Sequence, residues 1–325
     1  MSKKKQASKW SKYADSIEST IRKNPTLGYT ELARDVLGKK TNAKDENILR
    51  TYIRRNFGDL KRSLTGIGTE PRLLIYDLET SRAEFSTWWT GKQYLGTSSL
   101  TKEPSIISVS WKWLGEDEIY ALHWDMKTHC DKEMVREFLK VYNSADMVIG
   151  INSDRFDSKW LAARAIKHRL PLNIHVKSFD VQKKLRSLAR LPGYSMKFVN
   201  KYFNLERKLS HEGMHMWDMV EKGTDAEQRE YIDKMIEYNK GDIMATEDQF
   251  LTFRPYMKAP IHLGVFRGNG KSSCPHCGGD NIELFKTTVT AAGTIQRIMR
   301  CVDDGVQFKI SNKQYISFLE DQREF

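Results

Sequence analysis

Arg72-Leu73-Leu74-Ile75-Tyr76-Asp77-Leu78-Glu79-Thr80 decides how the rest of the chain is read. A run of apolar residues ends in two carboxylates. The run is β-rich, too short for a helix and closed by polar residues, so it predicts a buried β-strand. Side chains alternate along a strand, which puts Asp77 and Glu79 on the same face. Two like charges that close repel unless something positive lies between them. Hard divalent cations such as Mg²⁺ prefer carboxylate oxygen and would solve the problem. A strand ending in a solvated acidic turn has the same local pattern, so the choice falls to the remaining sequence.

At 325 residues the chain is long enough for a large core and more than one domain. It has no apolar run of membrane-spanning length, so no membrane partner is expected. The basic N-terminus, Met1-Ser2-Lys3-Lys4-Lys5-Gln6, is followed by no apolar segment and does not read as a signal peptide. Four cysteines, Cys130, Cys274, Cys277 and Cys301, are too few for a disulfide framework and fit a reducing, cytoplasmic compartment. The net charge is +11, and residues 1–70 hold 16 Lys and Arg against 8 Asp and Glu. A basic segment joined to a nearly balanced body points to an anionic polymer, and nucleic acid fits better than a membrane surface.

Residues 1–65 read as a small helical domain. Trp10, Tyr13, Ile17 and Ile21 recur at helical spacing, and Asn24-Pro25-Thr26-Leu27-Gly28 breaks the pattern. Thr30 to Gly38 forms a second helix. Asp45 to Phe57 forms a third, with Ile48, Tyr52 and Ile53 inward and Arg50, Arg54 and Arg55 outward. Three short helices with a basic third one resemble a helix-turn-helix, which binds nucleic acid through its last helix. Residues 58–71 read as a linker.

From residue 72 a three-stranded meander is expected, built from the opening strand, 105–113 and 119–124. Helices at 131–142 and 158–168 alternate with strands at 147–151 and 174–180. Helices then follow at 181–189, 195–203 and 226–249. Strands first, then strands alternating with helices, predict an α/β domain with a mixed five-stranded sheet flanked by helices, over 71–258.

Two further carboxylate motifs join the opening strand. Asn152-Ser153-Asp154-Arg155-Phe156-Asp157 puts Asp157 at a strand-to-helix junction, where α/β sheets tend to build sites. Tyr238 and Asp242, in Tyr238-Asn239-Lys240-Gly241-Asp242, lie four apart on one helix face. The order is Asp-x-Glu on a strand, Asn-x-x-x-Phe-Asp after a strand, and Tyr-x-x-x-Asp on a helix. This order resembles the DEDD superfamily of 3′–5′ exonucleases, with their RNase H-like fold, in the branch that carries a tyrosine four residues before the last aspartate. The resemblance covers roughly residues 72–258. Asn152 and Phe156 also match the second motif of the proofreading domains of family B DNA polymerases. The remaining residues leave no room for a polymerase palm or fingers, so a stand-alone nuclease is expected.

Phosphodiester hydrolysis needs an activated water, a clamp on the phosphate and charge relief for the leaving 3′-oxygen. Two metal ions about 3.5–4 Å apart supply all three. The resemblance implies that Asp77 bridges two Mg²⁺ or Mn²⁺ ions, that Glu79 and Asp242 complete the nucleophile-side ion, and that Asp157 serves the second. Tyr238 would orient the attacking water, because a phenol with a pKa of about 10 is a poor base at neutral pH. Asn152 and Phe156 would contact the substrate strand. Ser86, Trp88 and Trp89 follow the first motif and could stack on bases. His211 and His215 read as surface residues.

Residues 262–325 read as a zinc-ribbon-like β module. Cys274-Pro275-His276-Cys277-Gly278-Gly279 is a knuckle, followed by β-like segments at 282–285 and 295–300 and by Cys301-Val302-Asp303-Asp304-Gly305. Asp304 stands where a fourth cysteine belongs. Zinc held by Cys274, Cys277, Cys301 and Asp304 is the expectation; His276 or His262 as fourth ligand, and a degenerate empty site, stay open. Lys271, Lys286, Arg297, Arg300 and Lys309 make the module basic. A nuclease domain followed by a ribbon is an arrangement associated with phage-encoded proteins, which would act in the host cytoplasm. The expected function is a two-metal 3′–5′ exonuclease that releases nucleoside monophosphates from single-stranded DNA or 3′ ends. An exoribonuclease, an endonuclease and a regulatory DNA-binding protein using the fold as scaffold are the alternatives.

Overall fold

The computed structural model describes residues 10–25, 27, 29–38, 45, 48–50, 52, 53, 56, 57, 60, 64, 71–88, 90–92, 94–205, 213–267 and 269–323. Two compact units divide the chain: Arg72–Pro260, and Met1–Pro71 with Ile261–Phe325. Among the described residues, no helix is long and apolar enough to cross a membrane.

In the second of these units, a turn of 3₁₀ helix leads into α1 (Ala14–Lys23), and α2 (Tyr29–Leu37) follows. Helical backbone continues at positions 48–50, 52 and 53. Trp10, Ile17, Ile21, Leu32, Ala33, Leu49 and Ile53 form one buried cluster. Full burial of such a side chain is worth about 1.5–3 kcal/mol. Arg54, Arg55, Trp89 and His211 lie outside the described residues. Positions 60 and 64, within the segment expected to be a linker, are helical, and Leu60 packs against the same cluster.

Unit Arg72–Pro260 contains the central sheet. Its strands are β1 (Leu73–Thr80), β4 (Ile106–Trp113), β5 (Tyr120–His123), β6 (Met147–Gly150) and β7 (Lys177–Asp180). A short hairpin of β2 (Glu84–Phe85) and β3 (Leu100–Lys102) leaves the sheet after β1. The sheet order is β5-β4-β1-β6-β7. The first three strands by position pair antiparallel, and β6 and β7 run parallel to β1. This is an α/β domain with an RNase H-like mixed sheet. Helices α3 (Lys132–Asn143), α4 (Asp157–His168), α5 (Val181–Leu188), α6 (Met196–Tyr202), α7 (Met214–Lys222) and α8 (Asp225–Phe253) flank it. Residues 174–176, expected at the start of the last strand, lie before β7.

Alternation along β1 separates two environments. Leu74, Tyr76 and Leu78 enter a core with Val109 and Trp111 of β4, Phe138 and Leu139 of α3, and Leu161 of α4. Ile107 of β4 joins Trp124, Met216 and Val220 of α7, and Ile232 and Met235 of α8. Helix α8 spans 29 residues and starts on a capping box, Thr224 with Glu227. It passes over β1 and β4 and carries the last motif.

The C-terminal residues begin with a short helix, α9 (Leu263–Phe266). They then form an antiparallel sheet of β8 (Ile282–Val289), β9 (Ile295–Cys301) and β10 (Gln307–Ser311), and end in α10 (Asn312–Arg323). Strand β10 and helix α10 were not legible in the sequence. Arg297 turns to the packed side, where it donates to Asn312 Oδ1 at 2.9 Å and lies 4.8 Å from the Tyr315 ring. It stays half-exposed there and also donates to Thr287 Oγ1 at 2.6 Å.

Candidate active site

Asp77 and Glu79 occupy successive same-face positions of β1, opposite Ser110 and Ser108 of β4. Serine is small, and it leaves room above the two acids on that face. Helix α8 closes the space. Its Asn239 donates Nδ2–H to Asp77 Oδ2 at 2.6 Å, and Asp242 follows one turn later. One ligand oxygen each from Asp77, Glu79 and Asp242 lie within 4.8 Å of one another. Tyr238 hydrogen-bonds to Asp242.

Asp157 opens α4 and is 3 % exposed. The Leu78 N–H donates to its Oδ1 at 3.1 Å, which fixes the carboxylate beside β1. It lies outside the tight trio, although its charge reaches both Asp77 and Glu79. The turn that delivers it is close-packed: a Cβ on Gly150 would meet the Ser153 Cβ at 2.6 Å, so only glycine fits there. Asn152 has φ 62°, a left-handed conformation that asparagine tolerates. Its N–H donates to Asp180 Oδ1 at 3.1 Å, and the Asp154 N–H donates to Oδ2 at 3.2 Å. The left-handed conformation of this turn suits an asparagine at 152. Phe156 is partly exposed, 6.3 Å from the Trp160 ring.

The electrostatics follow from burial without compensation. Burial raises the Asp77 carboxyl well above the carboxylate range, and the Asp157, Glu79 and Asp242 charges raise it further. Glu79 is pushed to about 8 by burial and then by Asp242 and Asp157. Burial takes Asp157 to about 7. Asp242 reaches about 6, burial outweighing the Tyr238 hydrogen bond. Burial and the same acids raise the Tyr238 phenol above its ordinary value, so it stays protonated. Among the described residues, no Lys or Arg is a main influence on any of the four carboxylates. Lys112, on the same face of β4, is instead paired with Glu247 of α8 at 2.6 Å.

Divalent cations fit this donor set. Four acids carry no protein cation, and three buried polar atoms beside them lack a partner: Ser108 Oγ, Ser110 Oγ and Asn239 Oδ1. Asn239 and Asp180 were missed in the sequence reading. Asp180 had a signal, as an acid immediately before a helical run, and it caps α5 by accepting from the Lys183 N–H at 2.9 Å. Asn239 had none, because its partner lies 162 residues away. His215 is exposed, with Nε2 3.2 Å from the Tyr231 hydroxyl.

A second donor cluster lies among the C-terminal residues. Ligand atoms of Cys274, Cys277, Cys301 and Asp304 fall within 4.8 Å of one another. The Cys277 and Cys301 sulfurs are 3.6 Å apart. Tetrahedral zinc with Zn–S bonds of about 2.3 Å separates its sulfurs by about 3.8 Å. The His276 N–H points to Cys274 Sγ at 3.3 Å and the Gly279 N–H to Cys277 Sγ at 3.3 Å, donors that stabilise thiolates. With no cation counted, burial holds the Cys274 thiol far above its usual range and raises Cys301 to about 11. Neither His276 nor His262 belongs to the cluster, and His262 Nδ1 accepts the Val265 N–H at 3.2 Å.

A family model, RNase_H_2 of the RNase H superfamily, matches residues 97–249. The matched span holds Asp157, Tyr238 and Asp242 and starts after β1. No curated protein matches the sequence. Among solved structures, the chain is similar to the family B DNA polymerase from the hyperthermophilic archaeon Pyrobaculum calidifontis. The TM-score is 0.44 at 13 % identity, over 61 % of this chain and 26 % of the polymerase. This chain thus spans about a quarter of that protein. A second similarity is to the Mos1 mariner paired-end complex with Mn, at TM-score 0.16 and 12 % identity, over 76 % of this chain and 82 % of that one.

Proposed function

We propose that Arg72–Pro260 is a nuclease unit that hydrolyses phosphodiester bonds of DNA from the 3′ end, with two Mg²⁺ or Mn²⁺ ions as cofactors. The observation that carries this reading is the convergence of Asp77, Glu79 and Asp242 with no protein cation among them. When bound, the cations supply an activated water and charge relief at the leaving 3′-oxygen. Asp77, Glu79 and Asp242 would hold them, and Asp157 completes the acidic set. Asn239 fixes the orientation of Asp77. Tyr238, protonated and tied to Asp242, orients the attacking water and does not deprotonate it. Asn152 and Phe156 meet the substrate strand. The products are nucleoside monophosphates.

DNA is preferred over RNA because residues 1–70 carry 16 Lys and Arg against 8 Asp and Glu and their apolar spacing resembles a helix-turn-helix, a duplex reader. Binding through them should weaken steeply with salt, as phosphate contacts do. Cys274, Cys277, Cys301 and Asp304 hold one structural zinc ion in this reading. Metal analysis should find about one zinc per chain, lost in Cys274→Ser; a zinc-free wild type would refute that part.

One assay tests the reading as a whole. Single- and double-stranded DNA and RNA, labelled at the 5′ end, are incubated with and without Mg²⁺ and resolved by length. A ladder shortening from the 3′ end of DNA, only with Mg²⁺, is expected. A ladder from RNA alone makes the enzyme an exoribonuclease, single internal cuts make it an endonuclease, and no cleavage removes the nuclease reading.

A further inference from the structure

The excursion between β1 and β4 has a rigid neck and an exposed aromatic tip. At the neck, the Ser81 N–H donates to Ser105 O at 2.8 Å and the Ser105 N–H donates to Ser81 Oγ at 2.8 Å. Arg82 clamps the same point to α7. Its N–H donates to Glu221 Oε1 at 2.9 Å, and its guanidinium reaches Glu221 Oε2 at 3.0 Å and Asp218 Oδ1 at 2.7 Å. Glu221 is 5 % exposed, so losing Arg82 would leave a buried charge unmatched, which holds the contact in place. Trp217 Nε1–H adds a bond to Thr80 O at 3.1 Å. The hairpin beyond is therefore held in place only three residues after Glu79.

The tip is the reverse of a packed loop. Trp88 is 97 % exposed and Tyr94 is 105 % exposed. A soluble protein rarely leaves rings of that size fully in water without a use. The surrounding composition selects the partner. Residues 86–101 contain no Asp or Glu, one lysine (Lys92), and seven Ser and Thr residues. Leu95 and Leu100 are exposed too, at 47 % and 36 %, but neither stands in water as fully as the two rings. Flat rings among hydroxyls, with a cation and no acid, suit bases that stack and phosphates that accept hydrogen bonds.

We propose that the hairpin Glu84–Lys102 is a stacking platform for single-stranded nucleic acid, with Trp88 and Tyr94 each taking a base and Lys92 facing the backbone. It rests on the nuclease reading for its role in substrate delivery, because the platform leaves the sheet directly after the strand that bears Asp77 and Glu79. As a binding surface it stands on the exposure and composition above.

The test is photocrosslinking of the full chain, in EDTA, to a thymidine 20-mer carrying scattered 5-iododeoxyuridine, which reacts with stacked aromatic rings. Mass spectrometry of tryptic peptides should find the crosslinks in 83–92 and 93–102. Crosslinks confined to other peptides overturn the platform. In parallel, Trp88→Ala with Tyr94→Ala should weaken binding of the unmodified 20-mer in EDTA roughly 10- to 100-fold, while Trp88→Phe with Tyr94→Phe restores it. In Mg²⁺ the alanine pair should raise KM for the oligonucleotide and leave kcat within about threefold. An unchanged Kd, or a loss of kcat alone, overturns the proposal. So does a second copy of the chain bound through these rings, seen as a dimer that the alanine pair dissolves. Because binding is read in EDTA, a protein that crosslinks as expected but cleaves nothing refutes the nuclease reading and leaves the platform standing.

Discussion

The Arg72–Pro260 unit buries carboxylates in two ways. Asp131, before α3, is fully buried and fully matched. It accepts the Ile106 N–H at 3.0 Å, Arg164 Nε at 2.6 Å and Arg164 Nη2 at 2.8 Å, and His168 Nε2 lies 2.7 Å away. Burial pushes its carboxyl up, but these partners outweigh burial and hold it below the ordinary value. Asp157 and Asp242 are buried and Asp77 and Glu79 half-buried, none of them paired with a cation among the described residues, and all four are raised. Where the acid serves the fold, the sequence supplies its own positive charge. Where the acids converge without one, protons neutralise them in the metal-free protein, and in the proposed function divalent cations take that place.

The largest effect that distinguishes the clusters is on activity. Asp77→Ala or Asp242→Ala should remove several kcal/mol of transition-state stabilisation, about three orders of magnitude in metal-dependent nucleotide release, with the circular dichroism spectrum unchanged. Retained activity in either variant would show that the cluster is not the site. Arg164→Leu should do the opposite. It leaves the buried Asp131 with only His168 and the Ile106 N–H as partners and should cost about 3–5 kcal/mol in urea unfolding. A loss below about 1 kcal/mol would mean that Asp131 is not matched as described.

A smaller effect is expected at Asn239, the one described side chain that hydrogen-bonds Asp77. Asn239→Leu should weaken Mn²⁺ binding, read by calorimetry, by about 10- to 100-fold, the usual cost of losing a group that orients a ligand. Unchanged affinity would reduce Asn239 to a packing residue.

Smallest is the pH response of the metal-free protein. The folded state holds protons on the raised acids more tightly than the unfolded chain does. Their contribution to stability is therefore complete below the ordinary carboxylate range, near pH 4. It is lost as pH rises through about 6 for Asp242, 7 for Asp157 and 8 for Glu79. The melting temperature in EDTA should fall from pH 5.5 to pH 8.5, and Mg²⁺ should restore more of it at pH 8.5. Glu79→Gln should raise stability in EDTA at pH 8.5 by about 1–2 kcal/mol while abolishing the Mg²⁺ response. Asp131 runs the other way, losing its contribution only as pH falls through its depressed value.

These contrasts also mark what the sequence made legible. Alternation on Leu74 to Glu79 and the four-residue spacing of Tyr238 and Asp242 are local signals, and both strand and helix formed as read. The mixed five-stranded sheet followed from the order of such segments. The hydrogen bond from Asn239 to Asp77 and the pair of Arg164 with Asp131 are tertiary, 162 and 33 residues apart. No local pattern encodes them. Helix α7 was missed because only Met216 and Val220 among its apolar residues are buried, too few to set a periodicity. The hairpin Glu84–Lys102 has two- and three-residue strands, shorter than any alternation can reveal.

The uncompensated acids should bind divalent cations. Crystals soaked in Mn²⁺ and measured at an X-ray energy where manganese scatters anomalously test it directly. The account predicts anomalous peaks bonded to Asp77, Glu79 and Asp242, two of them sharing Asp77. Manganese absent from these carboxylates, with all four side chains ordered as described, would contradict it.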